Sequence, residues 1–323
     1  MASIEIKKFT PSNARVWNDF VANAKNATFL FDRGYMDYHA DQFTDHSLLL
    51  YGQGKIKAVF VANEVGDQII SHGGLSYGGL VLEKEARLED VLALFFHLTK
   101  YYHELGFRQI VYKCLPSYYA THPSQEDLYA MFLLKADLLK RDTSSVFVKS
   151  SPLPYQQRRK KNVNEGKAVF QIVPNNDPLV FWEKALMPNL SDRFGAEPVH
   201  TAQEMKLLIN RFPDNIHLFE IKDESEIVGG TVIYSTASVA HAQYTSATRR
   251  GKELGALDVL FDHLITATFK EKEYVSFGTS NGELGNKLNR GLVNWKEGFG
   301  ARTFAVDTYQ VDTSHYFLLS DYA

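Results

Sequence analysis

The run TRRGKELGAL at residues 248–257 sets three cations, Arg249, Arg250 and Lys252, against the pair Gly255-Ala256, just where a helical pattern begins. From there Leu257, Leu260, Phe261, Leu264, Ile265 and Thr268 recur at helical spacing, so one face packs while Lys252 and Glu253 stand before the helix start. The first N–H groups of a helix have no partner inside it, and the positive end of its dipole points the same way. A polar, glycine-containing turn at that place therefore suits an anion.

Other residues invite chemistry on weaker grounds. The basic run Arg158, Arg159, Lys160 and Lys161 falls on a predicted helix, where successive residues turn by about 100°. The four cannot all face one ligand; Arg158 and Lys161 share a face, with Glu165 one turn on, and a solvated amphipathic face is the ordinary reading of such a run. The cluster SHGGLSYGGL at residues 71–80 holds two glycine pairs, which implies a tightly shaped strand edge or bulge and lacks both the Rossmann and the P-loop spacing. Histidine and cysteine never take a metal spacing: His103-Glu104 is followed by Leu105, Gly106 and Phe107, and no metal is expected. Cys114 ends an apolar strand without a nucleophile elbow and reads as a buried structural thiol.

The elements that must position these residues occur twice in the same order. In the first half the strand IKAVFVANEV opens at Lys55-Ile56, glycine turns follow, a helix spans 88–105 and a strand spans 110–114. In the second half the strand IVGGTVIYS opens at Glu226-Ile227, a strand at Tyr244 and the glycine turn follow, then a helix over 256–269 and a strand over 274–278. Helix 88–105 carries Leu88, Val91, Leu92, Phe95, Leu98, Thr99 and Tyr102 on one face, and such a stripe must be buried against a sheet. A further helix is expected over 128–139 and a strand over 145–149; Pro152 and Pro154 then break regular structure, which puts the domain boundary near residue 150. Residues 3–9 alternate as a strand, and Trp17, Phe20 and Val21 begin a helix.

At 323 residues, with 45% apolar and 13% aromatic content, the chain can bury a large core, and its length suggests two domains. Residues 1–150 carry 16 Lys/Arg and 17 Asp/Glu and residues 151–323 carry 19 and 21, so neither half is basic and no DNA-binding surface is expected. A few placed cations can still hold an RNA end or a diphosphate. The longest apolar runs are too short to span a bilayer, the first 25 residues lack a secretory h-region, and the single cysteine forms no internal disulfide, so a cytoplasmic protein without membrane insertion is expected.

The block from Tyr244 to Asp307 resembles the C-terminal half of the FemAB-like acyltransferases, a branch of the GNAT acyl-CoA N-acyltransferase superfamily. The resemblance is carried by the run Tyr244-Thr245-Ser246-Ala247, by Gly255-Ala256, by Phe277-Gly278, and by WKEGFG at residues 295–300, which stands where the family has Phe-Lys-x-x-Phe-Gly. It implies an α/β fold of two tandem GNAT-like domains, 1–150 and 151–323, each a mixed central sheet flanked by helices. It also implies attack of an amine on an acyl-CoA thioester or an aminoacyl-tRNA ester, without a covalent intermediate.

Residue by residue, the resemblance places the donor phosphates at Arg249, Arg250, Lys252, Gly255 and Ala256. There the family's Gln/Arg-x-x-Gly-x-Gly/Ala loop reads Lys252 to Leu257, with Lys first and Leu last. Tyr244, Asp258 and Glu283 are the proton-transfer candidates, and an N–H near Thr245 to Ala247 would face the oxyanion. Asn281, Lys287 and Lys296 would line the cleft, and Arg158 and Lys161 with Tyr77 and His72 would bound an acceptor between the halves. The acceptor implied is an amine of a cell-envelope or surface-glycan precursor. Two further readings stand beside it: a transferase that builds peptidoglycan bridges from aminoacyl-tRNA, and a non-catalytic binding or scaffold protein on a degenerate double GNAT fold.

Overall fold

A computed structural model of the chain describes residues 4–195, 197–282 and 285–323. The first half holds β1 (Ile4–Lys8), α1 (Ala14–Asn23), α2 (Arg33–Met36), β2 (Thr44–Asp45), β3 (Leu48–Gly52), β4 (Lys55–Phe60), β5 (Ala62–Val65), β6 (Gln68–Ser71), β7 (Leu80–Leu82), α3 (Leu88–Glu104), β8 (Gln109–Lys113), α4 (Glu126–Leu133) and β9 (Asp137–Val148). The second half holds α5 (Gln157–Gly166), β10 (Phe170–Asn175), α6 (Leu179–Phe181), α7 (Met187–Phe194), α8 (Ala202–Arg211), β11 (Ile216–Asp223), β12 (Glu226–Ser235), β13 (Val239–Ala247), α9 (Arg249–Glu253), α10 (Ala256–His263), β14 (Tyr274–Thr279), α11 (Arg290–Glu297) and β15 (Arg302–Asp312).

Two compact units form, and the chain passes between them more than once. The first comprises Met1–Asp142, Leu284–Asn286 and Ala305–Ala323; the second comprises Thr143–Glu283 and Lys287–Phe304. The first passage thus falls inside β9, and the C-terminal segment belongs to the first unit.

In the first unit β1, β3, β4 and β7 form an antiparallel sheet, while β2, β5 and β6 pair antiparallel, β6 runs parallel to β8, and β8 pairs antiparallel with β15. Helix α3 lays Val91, Leu92, Phe95, Leu98 and Tyr102 on Leu48, Leu50, Phe60 and Tyr112, the stripe-on-sheet contact its spacing requires.

In the second unit β10 to β13 form an antiparallel meander, β13 runs parallel to β14, and β14 pairs antiparallel with the end of β9. Its core gathers Val259, Leu260 and Leu264 from above the sheet with Val228, Ile233, Phe277 and Phe299.

The doubled order is present with one correction, since the single strand expected from Lys55 divides into β4 and β5 in different sheets: a hairpin, a crossover helix and a parallel strand occur as β5-β6-α3-β8 and again as β12-β13-α10-β14. The strand that closes each unit comes from the other half of the sequence, β15 beside β8 and β9 beside β14.

One expected helix is shorter than its apolar run. It ends at Leu133 because Lys135 takes a left-handed φ of 51° and the N–H of Ala136 closes on Met131 O at 2.9 Å, a helix-ending geometry. Leu138 and Leu139, read from sequence as its continuation, are exposed positions of β9, which is longer than the strand expected over 145–149.

Candidate active site

A strand hydrogen-bonded on both edges is normally well covered, and β12 is buried from Ile227 to Ser235. Its neighbour β13 is not: His241, Ala242, Gln243, Tyr244 and Thr245 are all half-buried, although β12 and β14 flank the strand. The register explains this. β13 and β14 pair only from Val239 to His241 with Tyr274 to Ser276 and then part, leaving a cleft. Gln243 is an extra residue, since Val232 faces Tyr244 while Ile233 faces Ala242, and such a bulge re-aims side chains. Ala240 and Ala242 point into the core under α10, so His241 and Tyr244 lie on the opposite face.

The other wall is the end of β14. Gly278 has φ 71°, a left-handed value that glycine takes without strain, and a Cβ there would sit 3.3 Å from His241 Cε1. This turn presents two successive carbonyls to one side chain: Lys296 Nζ donates to Gly278 O at 2.9 Å and to Thr279 O at 2.7 Å. Lys296 is 3% exposed, and burial alone pulls its ammonium down to about 7, with no carboxylate among the described residues offsetting it. The same peptide is held from the far side. Ser276 Oγ accepts from Gly278 N at 3.3 Å and lies 3.0 Å from His241 Nδ1. Burial first, and the Lys296 charge second, push His241 down to about 4, so its ring is neutral at physiological pH. On the opposite flank the Tyr244 hydroxyl is 2.6 Å from Nδ1 of the buried His200, its ring stands edge-on to Trp182 at 5.2 Å, and burial pushes the phenol up to about 12.

The residues named from sequence divide between this cleft and other duties. Tyr244 and Lys296 border it. Asp258 is engaged elsewhere: Oδ1 accepts from Arg159 Nη1 and Trp295 Nε1 (2.9 Å), Oδ2 accepts from Asn162 Nδ2 (2.6 Å), and the side chain is 2% exposed. Glu283 lies outside the described residues. Asn281 Oδ1 accepts from both the N–H and the hydroxyl of Thr143, at 2.7 and 2.8 Å, and Lys287 is exposed while its carbonyl accepts from Gly282 N at 2.8 Å.

At the expected phosphate turn the chain forms the short helix α9. Gly251 N donates to Thr248 Oγ1 (3.2 Å), Lys252 N to Thr248 O (3.0 Å), Leu254 N to Arg250 O (3.0 Å) and Gly255 N to Lys252 O (3.3 Å). Arg249 is paired with Glu253 at 2.9 Å, Arg250 with Asp223 at 2.7 Å, and Lys252 donates to Asn189 Oδ1. Gly255 has φ 69°, and Asn162 Nδ2 lies 2.8 Å from the place a Cβ would take, while Ala256 is buried. Much of the free donor capacity expected of this turn is therefore engaged by the protein itself.

Arg158 is exposed on α5, and Lys161 sits 3.8 Å from Glu165. In the first unit Tyr77 and His72 are buried: the Tyr77 hydroxyl is 2.8 Å from Thr28 Oγ1, and His72 Nδ1 is 2.8 Å from Tyr77 O with its ring stacked on Phe31. Burial raises the Tyr77 phenol and lowers His72 to about 3. Strands β6 and β8 also part, after Ile70 and Val111, but the glycine segment closes that gap with Gly78 N on Lys113 O (3.1 Å) and Leu80 N on the Tyr112 hydroxyl (3.0 Å). Sequence reasoning passed over His241, Gln243, His200 and Arg159. The run His-Ala-Gln-Tyr at 241–244, four residues of mixed polarity inside an otherwise apolar strand, was the signal available.

No family model matches the chain, and no curated protein matches it in sequence. Comparison with solved structures does find matches. FemX covers 98% of this chain and 99% of its own, at a TM-score of 0.66 and 10% identity. L-PGS from Bacillus licheniformis covers 97% and 94%, at 0.58 and 11%. A tandem GNAT protein from the clavulanic acid biosynthesis pathway covers 96% and 99%, at 0.54 and 11%. Over its whole length the chain therefore has the FemAB-like fold of two tandem GNAT-like domains.

Proposed function

We propose that the protein is an N-acyltransferase and that its reaction takes place in the β13–β14 cleft. The observation that carries this reading is Lys296, a buried ammonium that, among the described residues, is held by two carbonyls. Such a cation is unfavourable in the resting protein and gains its counter-charge when a nearby carbonyl oxygen becomes an oxyanion, so it favours the transition state over the ground state. Two carbonyls fix the amine, and an ammonium carries three N–H donors, so the reading assigns the third to that oxygen.

In the reaction a neutral amine attacks the acyl carbon, a C–N bond forms and the C–S or C–O bond of the donor breaks. The proton that the amine sheds passes to the departing thiolate or alkoxide, so the step balances without an added acid or base. Tyr244, whose phenol is kept protonated by burial and is hydrogen-bonded to His200, is the group we assign to relay that proton, giving up its own and regaining the amine's. The donor is an acyl thioester such as acyl-CoA or an aminoacyl ester of tRNA. The engaged turn at α9 favours a donor whose far end is not gripped at Arg249 to Gly255. The acceptor is an amine on an anionic cell-envelope or glycan precursor, with Arg158 and Lys161 as the cations of α5 open to it.

A binding or scaffold protein has no use for an uncompensated buried ammonium, which is why the enzymatic reading is preferred. Thermal-shift titration with acetyl-CoA, an alanyl-tRNA and a nucleotide-linked amino sugar tests it: a ligand at 100 times its Kd adds about 2.7 kcal/mol to stability. A shift with one donor class, followed by donor cleavage when an amine is added, is expected. Binding without cleavage across the amines would favour the scaffold.

A further inference from the structure

We propose that Asp258 is a positioning residue that holds α11, and with it the Lys296 amine, against the Gly278–Thr279 end of β14. The proposal rests on the reading of Lys296 as the working cation. Trp295 and Lys296 are consecutive on α11. The Trp295 indole donates to Asp258 Oδ1 at 2.9 Å while its ring stands edge-on to Phe261, Phe277 and Phe299. The next residue reaches Gly278 and Thr279. Helix α11 is thereby pinned at two consecutive positions, one to α10 and one to β14.

Asp258 is itself fixed from α5 by Arg159 and Asn162. Arg159 is 8% exposed, its Nε has no hydrogen-bond partner among the described residues, and its guanidinium lies 6.0 Å from the Phe299 ring. An ion pair buried against aromatic rings is a poor stability device, because desolvating both ions offsets their attraction and apolar residues of similar volume often replace such a pair without loss. What the carboxylate supplies and an apolar side chain does not is direction: it fixes the indole N–H and so the rotation of α11 about its axis. A slip of one residue would turn the helix by about 100° and carry the amine off its carbonyls.

Two variants test this. Arg159→Met with Asp258→Leu replaces the pair by apolar residues, and Trp295→Phe removes one hydrogen bond from a ring that still fits its cluster. Lys296 is followed by 13Cε NMR in lysine-labelled protein, which needs no reaction, alongside transfer rates and melting. The folded double variant should show a Lys296 titration displaced by about one pH unit and a kcat at least about tenfold lower with donor KM within about twofold; Trp295→Phe should lower kcat about fivefold. Wild-type titration and kcat in the double variant overturn the proposal, as they do in Trp295→Phe if the double variant does not fold. If the Lys296 resonance moves as expected while Lys296→Met leaves transfer intact, the tether stands and the functional reading of the amine falls.

Discussion

Lys296→Met separates stability from activity in a direction few substitutions take. The ammonium has an ordinary value of 10.5 and is held at about 7 in the folded chain, so the unfolded chain binds the proton more tightly. Below pH 7 both states are charged and the folded one carries the full penalty, roughly 5 kcal/mol for a shift of this size in a group this buried. Between about pH 7 and 10.5 the unfolded chain holds more protons than the native one, so stability rises with pH, by about 3 kcal/mol from pH 6 to pH 9 from this group alone. Methionine removes the penalty but leaves the Gly278 and Thr279 carbonyls without their donor, at about 1–3 kcal/mol each, so the variant at pH 6 should be within a few kcal/mol of wild type on either side. Its stability should not gain that rise toward pH 9. Catalysis should respond differently, with kcat lower by about 10²–10³, the usual cost of losing a preorganised oxyanion donor. Urea titrations at pH 6 and pH 9 with initial transfer rates at both decide it. Parallel pH dependences in the two proteins, or a wild-type kcat in the variant, refute the reasoning.

Gly278→Ala places a Cβ on a backbone of φ 71° and 3.3 Å from His241, so it should cost about 1–2 kcal/mol in denaturant titration and lower kcat by displacing the carbonyl that holds Lys296; an unchanged kcat would detach that turn from the site. Arg158→Ala should leave stability within about 0.5 kcal/mol and raise the acceptor's KM about tenfold, whereas Arg159→Ala, which strands the Asp258 carboxylate, should cost about 3–5 kcal/mol by calorimetry; equal effects would contradict the different roles of these neighbours. Fragments 1–150 and 151–323 should each lack a cooperative melt and recover one when mixed, because β8 needs β15 and β14 needs β9; a cooperative melt of either alone would contradict the exchange.

Local signals in the sequence were read correctly where local physics decides. Stripes at helical spacing located α3 and α10, and the resemblance carried by the WKEGFG run named Lys296 as a cleft residue. What the sequence does not announce depends on partners far along the chain. In the run at residues 158–161, Arg159 differs from its neighbours only because Asp258 meets it inside the second unit, and no periodicity announces that pairing. Leu138 and Leu139 prolong an apolar run that looks helical, and only the left-handed Lys135 ends it. The three cations at 249, 250 and 252 sit where an anion site is expected, yet Glu253 and Asp223 pair two of them and Asn189 takes the third. The exchange of β9 and β15 leaves no local trace either, since each strand reads the same whichever unit it completes.

Direct acyl transfer to an amine is tested most directly by the dependence of donor cleavage on the amine. Acetyl-CoA and alanyl-tRNA carrying a labelled acyl group are incubated with the protein and a set of amines, and free thiol or tRNA is followed with the label. Cleavage that requires an amine, with the label recovered as an amide and none on the protein, is the predicted result. It should weaken by about 10²–10³ in Lys296→Met while donor Kd holds. Release of thiol or tRNA without an amine, with label left on the protein, would contradict direct attack, and donor binding with no cleavage under any condition would contradict the function itself.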